Sequence, residues 1–188
     1  MDSYFEIKAL PNPEIIESTV MSHLMQALHQ LLPQFGGNIA LDFPGYGRHR
    51  TLGGIIRIVS NKEDTEALYN KVLRKSIFRD YALVTECDSV PERVSQHIKN
   101  TRHRKKGQSH LKRLEKRLRS QGLWDESIKA KAEAKFEASK LMPHVHLKSS
   151  STGENFILAV QRKIQTKPEM GKFNGFGLSL GEATVPKF

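Results

Sequence analysis

The sequence predicts an α+β protein in two unlike parts. Over about the first ninety residues, apolar positions switch between a period of two and a helical period, in the order strand, helix, strand, strand, helix, strand. Thirty Lys and Arg stand against twenty Asp and Glu, a net charge of +10 in 188 residues. Nearly all of that excess lies in residues 91–120, where eleven Lys or Arg face only Glu92 and Glu115, a local net of +9. The chain is long enough for one ordinary domain or two small ones, and 38% apolar content supplies a core.

Residues 4–10, YFEIKAL, alternate as a strand does, and Pro11-Asn12-Pro13 ends it. From Glu17 to Leu32, the residues Met21, Leu24, Met25, Leu28, Leu31 and Leu32 recur at helical spacing until Pro33 and Gly36-Gly37 close the helix. NIALDF (38–43) and GIIRIVS (54–60) read as strands joined by a glycine-rich basic loop. SNKEDTEALYNKVLRK (60–75) follows as a helix capped by Ser60 or Asn61, then YALVTEC (81–87) as a strand with Cys87 at a buried end. The order βαββαβ is the ferredoxin-like arrangement, an antiparallel sheet with two helices on one face, and is assigned to an N-terminal domain at 1–90. The open face of such a sheet often meets RNA, but GIIRIVS lacks the stacking aromatics of an ordinary RNA-recognition motif.

The C-terminal part, 91–188, is expected to carry an arginine- and lysine-rich helix and a small β-sheet. SQHIKNTRHRKKGQ (95–108) predicts a strand or extended arm, residues 109–121 the basic helix, and Gly122 its stop. Asp125 caps a further helix, ESIKAKAEAKFEASK (126–140). HVHLKSS (144–150), ENFILAVQRK (154–163) and KFNGFGLSL (172–180) are read as strands. In the basic helix, Leu111, Leu114 and Leu118 form a narrow stripe, with Arg113 and Arg117 on one flank and Lys112, Lys116 and Arg119 on the other. Such a helix docks by its leucines and presents one sign of charge, a pattern suited to successive phosphates along the deep major groove of an RNA stem. A DNA-binding regulator is less attractive, since neither a helix-turn-helix nor a dimerising heptad is apparent.

Cys87 is the sole cysteine, so an intrachain disulfide and a multi-cysteine zinc site are both excluded, and a reducing compartment is expected. No basic leader precedes an apolar run, and no stretch has the length of a membrane span, so a cytoplasmic protein with no membrane partner is expected. The eight histidines are not accompanied by a compact Asp/Glu cluster of the kind that holds paired magnesium ions. RNA cleavage by its own 2′-hydroxyl needs only a base, geometry and stabilisation of the phosphorane. His29 sits at the edge of the first helix's apolar stripe, where a packing role is commoner, and KSSSTGENF (148–156) reads by default as a hairpin turn rich in hydroxyls.

Taken together, MDSYFEIK (1–8), VMSHLMQALHQ (20–30), the basic helix, SSSTGENF (149–156) and GFGLSLGEATVP (175–186) resemble the CRISPR-associated endoribonucleases of type I-F systems, which cut precursor CRISPR RNA at repeat hairpins. The resemblance spans essentially the whole chain. It implies that His29 acts as general base toward the 2′-hydroxyl or as general acid, and that Ser149 fixes that ribose, with Ser151 and Thr152 in the same loop. It implies that Phe156 stacks beneath the closing base pair and that Arg102 reads a guanine through a bidentate fork. Lys112, Arg113, Lys116, Arg117 and Arg119 become phosphate contacts. Two positions depart from the family pattern: Arg104 stands where a glutamine reads adenine, and Phe176 replaces a tyrosine beside the histidine, where it can still orient His29 by packing. A small insertion, KKGQ (105–108), precedes the helix.

The activity so implied is metal-independent and needs no cofactor. It leaves a 2′,3′-cyclic phosphate, and the protein stays on the guide RNA as a monomer among the other subunits of the surveillance complex. The competing expectation is a non-catalytic RNA-hairpin-binding module or scaffold.

Overall fold

The computed structural model describes residues 1–104 and 108–188, and within its helices the side chains of residues 108, 110, 111, 135, 139 and 140 are not among those described. Residues 105–107 of the expected insertion and the side chain of Leu111 therefore lie outside the described residues.

The N-terminal sheet follows the predicted order. Strand β1 (Ser3–Ala9) leads to helix α1 (Glu17–Leu31), whose last turn tightens into a short 3₁₀ segment, Leu32–Phe35, with Pro33 at its start. Strands β2 (Ala40–Asp42) and β3 (Ile55–Ser60) precede helix α2 (Lys62–Leu73), where Asn61 and not Ser60 is the cap, its side chain accepting from the Asp64 N–H at 2.8 Å. A short helix α3 (Ser76–Tyr81), absent from the sequence reading, turns the chain into β4 (Ala82–Val84). The sheet runs β2-β3-β1-β4 and every pairing is antiparallel, as the ferredoxin-like arrangement requires. A two-residue strand β5 (Asp88–Ser89) rejoins β1 beyond a break, and Cys87 lies in that break, half-buried instead of fully buried at a strand end. Burial and the nearby Glu66 push its thiol up, which disfavours the thiolate.

Alternation along β1 and β3 sends Phe5, Ile7, Ile56 and Ile58 to the helix-covered face, where they meet Leu24, Leu28, Leu68 and Val72. The opposite face is not open. Ala40 and Val59 there pack with Ile98, Phe173, Ala183 and Val185 from the second half of the chain. Arg57 bonds Glu6 at 2.8 Å, donates to the Phe188 backbone carbonyl, and lies 4.1 Å from the centroid of the Phe188 ring. The C-terminus thus covers the surface on which a sheet-face RNA binder would work.

The second sheet runs β7-β8-β6-β9, from β6 (Gln96–His103), β7 (His144–Lys148), β8 (Asn155–Gln165) and β9 (Val185–Lys187). Residues 172–180 are not the expected strand. They form a looped segment with one isolated bridge, Phe173 to Ser179, and the place beside β6 is taken by β9. The side-chain oxygen of Asn174 accepts the N–H groups of Phe176 and Leu178, and Gly177 has φ +68°, so a local turn replaces the ladder. Between β6 and β7 stands a pair of helices, α4 (Gln108–Ser120) and α5 (Glu126–Lys140). Gly122, at φ +67°, ends α4 with the Leu123 N–H bonded back to the Leu118 carbonyl, and Asp125 caps α5 through the Ile128 N–H. Among the described residues, no helix is long and apolar enough to cross a membrane.

Candidate active site

The site forms where α1 passes between the two sheets. Val145 and Leu147 of β7, with Leu158 and Val160 of β8, share one buried cluster with Met21, Leu24, Met25 and Leu28 of α1. The outer edge of β7 would expose unpaired N–H groups. Instead the His146 N–H donates to the Ser22 hydroxyl (3.3 Å) and the Lys148 N–H to the Gln26 side-chain oxygen (2.9 Å). Gln26 and His29 lie one turn apart on α1, so the bond to Lys148 anchors the following serine loop beside the histidine.

His29 is half-buried at the C-terminal end of α1. Its Nδ1 lies 2.6 Å from the Gly175 carbonyl, which can only accept, so Nδ1 carries the proton and the neutral ring keeps its lone pair on Nε2. The ring stacks on Phe176 at 3.9 Å with planes 13° apart. A Cβ at 175 would stand 3.3 Å from His29 Cε1, a close contact that would press on the imidazole. Phe176 meets Phe156 edge-on at 6.2 Å, and the Arg102 guanidinium stands 5.6 Å from the Phe156 centroid and 5.5 Å from that of Phe176. An imidazole, two phenyl rings and a guanidinium from four segments therefore form one contiguous row.

Pairing fixes the row. Arg102 is exposed opposite Val160, at the end of β6, and Phe156 is half-buried opposite Leu147, near the start of β8. Because β6 and β8 are antiparallel, these two ends coincide. The Ser149 hydroxyl lies 3.1 Å from that of Ser151 and accepts from the Thr152 N–H at 3.2 Å, while the Ser149 N–H bonds the Glu154 carbonyl at 2.8 Å. The three hydroxyl residues share one tight turn, Ser149 half-buried and Ser151 and Thr152 exposed. Arg104 is exposed just beyond β6.

On α4, Leu114 and Leu118 are half-buried while Lys112, Arg113, Lys116, Arg117 and Arg119 are exposed, as an amphipathic basic helix requires. Arg119 pairs with Glu115 at 2.9 Å, four residues earlier, and the Arg113 Nε bonds the Ser109 carbonyl at 3.2 Å. Among the described residues, none of these five cations bonds or stacks with His29, Phe176, Phe156 or Arg102.

Sequence reasoning missed Gly175 and Gln26, which hold the histidine and the serine loop. It also missed a buried polar knot beneath Arg102: Arg162 bonds Asp42 at 2.6 Å, the Phe43 carbonyl at 2.8 Å and Asn100 at 3.2 Å. Asn100 donates to the Leu41 carbonyl, and Tyr46 donates to the Val160 carbonyl at 2.9 Å with Arg162 lying 4.4 Å from its ring centroid. Burial pulls the Arg162 guanidinium down from its usual range while Asp42 opposes that shift, and burial raises the Tyr46 phenol. Among the described residues, no group of three or more His, Cys, Asp or Glu is arranged to hold a metal ion.

A family model described as CRISPR-associated protein (Cas_Csy4) matches residues 4–188. The CRISPR-associated endonuclease Cas6/Csy4 of Pseudomonas aeruginosa (strain UCBPP-PA14) is 32% identical over 192 aligned residues that cover both chains completely. The protein of the same description from Escherichia coli (strain UTI89 / UPEC) is 30% identical over 193, again over the full length of both.

Proposed function

The chain belongs to the CRISPR-associated Csy4 family, and from that premise we propose that it is a metal-independent endoribonuclease that cuts precursor CRISPR RNA of a type I-F system at the 3′ foot of the repeat hairpin. The observation that carries this reading is the contiguous row of His29, Phe176, Phe156 and Arg102 beside the Ser149 turn. The Phe156 face stacks under the closing base pair, and the Arg102 fork reads a guanine of the stem. That places the 3′ strand, as it leaves the stem, over His29.

His29, with its lone pair on Nε2, takes the proton of the 2′-hydroxyl upstream of the scissile phosphate. The oxygen attacks phosphorus, the bond to the 5′-oxygen breaks and that oxygen takes a proton from water, leaving a 2′,3′-cyclic phosphate upstream and a 5′-hydroxyl downstream. If the imidazole is protonated on arrival, the same nitrogen instead donates to the leaving oxygen. Ser149 holds the ribose so that the 2′-oxygen stands in line, with Ser151 and Thr152 fixing its hydroxyl. Lys112, Arg113, Lys116 and Arg117 contact phosphates along the stem, and Arg104 lies where the closing base pairs pass. These contacts survive the cut, so the cytoplasmic protein stays on the guide RNA as a monomer within the surveillance complex. In this division the first 90 residues supply the histidine, and 91–188 the RNA-binding surfaces.

The test is cleavage of an end-labelled type I-F repeat hairpin in excess EDTA, with His29→Ala alongside. The expected result is a cut at the 3′ foot by the unaltered protein alone, with hairpin affinity retained by the variant. Tight binding by both and cutting by neither would make it an RNA-hairpin scaffold instead.

A further inference from the structure

Beside the serine turn, whose flanking residues Lys148 and Asn155 both line it, α1, β7 and the loop at residues 49–51 form a groove of about 730 Å³. It starts at Gln26 and Lys148, beside the active-site turn, and follows α1 back to Ser18, about 12 Å at a helical rise of 1.5 Å per residue. Arg50 and Lys148 line it with the histidines His23, His49, His144 and His146, and none of the described residues lining it is an aspartate or glutamate. Arg50, Lys148, His23 and His146 are exposed. His49 and Arg50 are held at φ +49° and +61°, which side chains other than glycine seldom adopt, and Arg50 lines the groove in that conformation. The hydroxyls of Ser18 and Thr19 on α1 add donors suited to phosphate oxygens, while that of Ser22 is committed to the Ser18 carbonyl.

We infer that this groove takes the RNA single strand 3′ of the cut, the leaving product, through its phosphates. The inference rests on the endonuclease reading, which seats the stem on Phe156 and Arg102 and the scissile phosphate at His29. A strand continuing past His29, away from the stem, meets the groove at Gln26 and Lys148. Its single sign of charge and its continuity with the active-site turn select a polynucleotide over a protein surface. The groove therefore gives the enzyme a hold on the substrate that the cut itself releases, while the stem contacts remain.

The test uses a repeat hairpin with a single 2′-deoxy nucleotide at the cut, ending just past it or extended by a short single strand on the 3′ side or on the 5′ side. The 3′ extension is expected to raise affinity several-fold and to steepen the salt dependence by about 0.7 per added phosphate contact. The 5′ extension is expected to add neither. The double variant Arg50→Asn/Lys148→Gln should lose the 3′ gain and bind the unextended hairpin as before, and Arg50→Lys/Lys148→Arg should restore the gain. Equal salt slopes with and without the 3′ strand, an equal gain from the 5′ strand, or a gain that survives Arg50→Asn/Lys148→Gln would each overturn the inference. All-ribose versions of the same RNAs keep the two readings apart: cutting at the hairpin foot without a 3′ gain removes only the groove, whereas no cutting of any of them removes the endonuclease reading and this inference with it.

Discussion

A histidine bonded through Nδ1 to a backbone carbonyl is fixed in tautomer and in orientation, and His29 is held in this way by Gly175. The sequence carried the helical spacing that puts it at a stripe edge but not the bond, because the acceptor is 146 residues away and belongs to a glycine without a side chain. Phe176, Phe156 and Ser149 were legible only through resemblance, since an aromatic or a serine near a turn has many ordinary uses. Nitrogen-15 NMR of the neutral protein should report a proton on His29 Nδ1; a proton on Nε2 would contradict the geometry. Phe176→Leu removes the stacked ring, an interaction of about 0.5–1.5 kcal/mol. It is expected to slow cleavage by up to about tenfold while hairpin affinity changes little, and an unchanged rate would leave the Gly175 bond as the whole of the orientation. Ser149→Ala should likewise lower the rate more than binding, as single-turnover cleavage beside a binding titration would show.

At the scale of elements, strands and helices with strong periodicity were read correctly, and the failures have local causes. Helix α3 is a single short run in which Ile77 and Phe78 supply too few apolar positions to define a period. The piece at 172–180 has strand-like alternation, yet the Asn174 side chain and Gly177 bend it into a turn in which the Gly175 carbonyl meets His29, so local turn chemistry prevailed over strand propensity there. The basic helix kept its predicted character but distributes its charge unevenly. Arg119 is partly neutralised by Glu115, a pairing worth only a few tenths of a kcal/mol on an exposed helix, whereas Lys116 and Arg117 face outward. Lys116→Ala and Arg117→Ala are therefore expected to weaken hairpin binding and to reduce its salt slope by roughly 0.7 to 0.9 each, while Arg119→Ala should do less. Slopes measured over a salt series check this, and equal slopes for all three variants and the unaltered protein would take the helix off the stem.

Over the whole molecule, the proposed activity requires two sheets holding a fixed relation, because His29 comes from one half and Arg102, Phe156 and Ser149 from the other. Sequence periodicity describes each sheet and is silent on how they join, since the joining residues are polar and scattered. Glu6 and Arg57 tie the C-terminus across the first sheet. Burial acts to raise the Glu6 carboxyl, but the Arg57 and Lys8 contacts outweigh it and leave it below its usual value. Its contribution to stability is therefore present above the ordinary glutamate range near about pH 4.3 and lost as pH falls through the folded value. The stronger joint is Asp42 with Arg162, their side chains 3% and 13% exposed, reaching from β2 to β8. Asn100, bonded into the same knot, lies two residues before Arg102 on one face of β6, which ties the strand position of Arg102, and with it the proposed reading of a base pair, to the joint. Asp42→Ala leaves a guanidinium largely buried without its carboxylate, a loss of about 3–5 kcal/mol. For a chain of this size that lowers the melting temperature by roughly 6–20 °C. Asp42→Asn, which keeps an acceptor without the charge, should lose less. At a temperature where both variants remain folded, discrimination at the base pair read by Arg102 is expected to relax in Asp42→Ala before cleavage of the preferred hairpin fails. A melting temperature lowered with discrimination intact would make the joint a matter of stability alone.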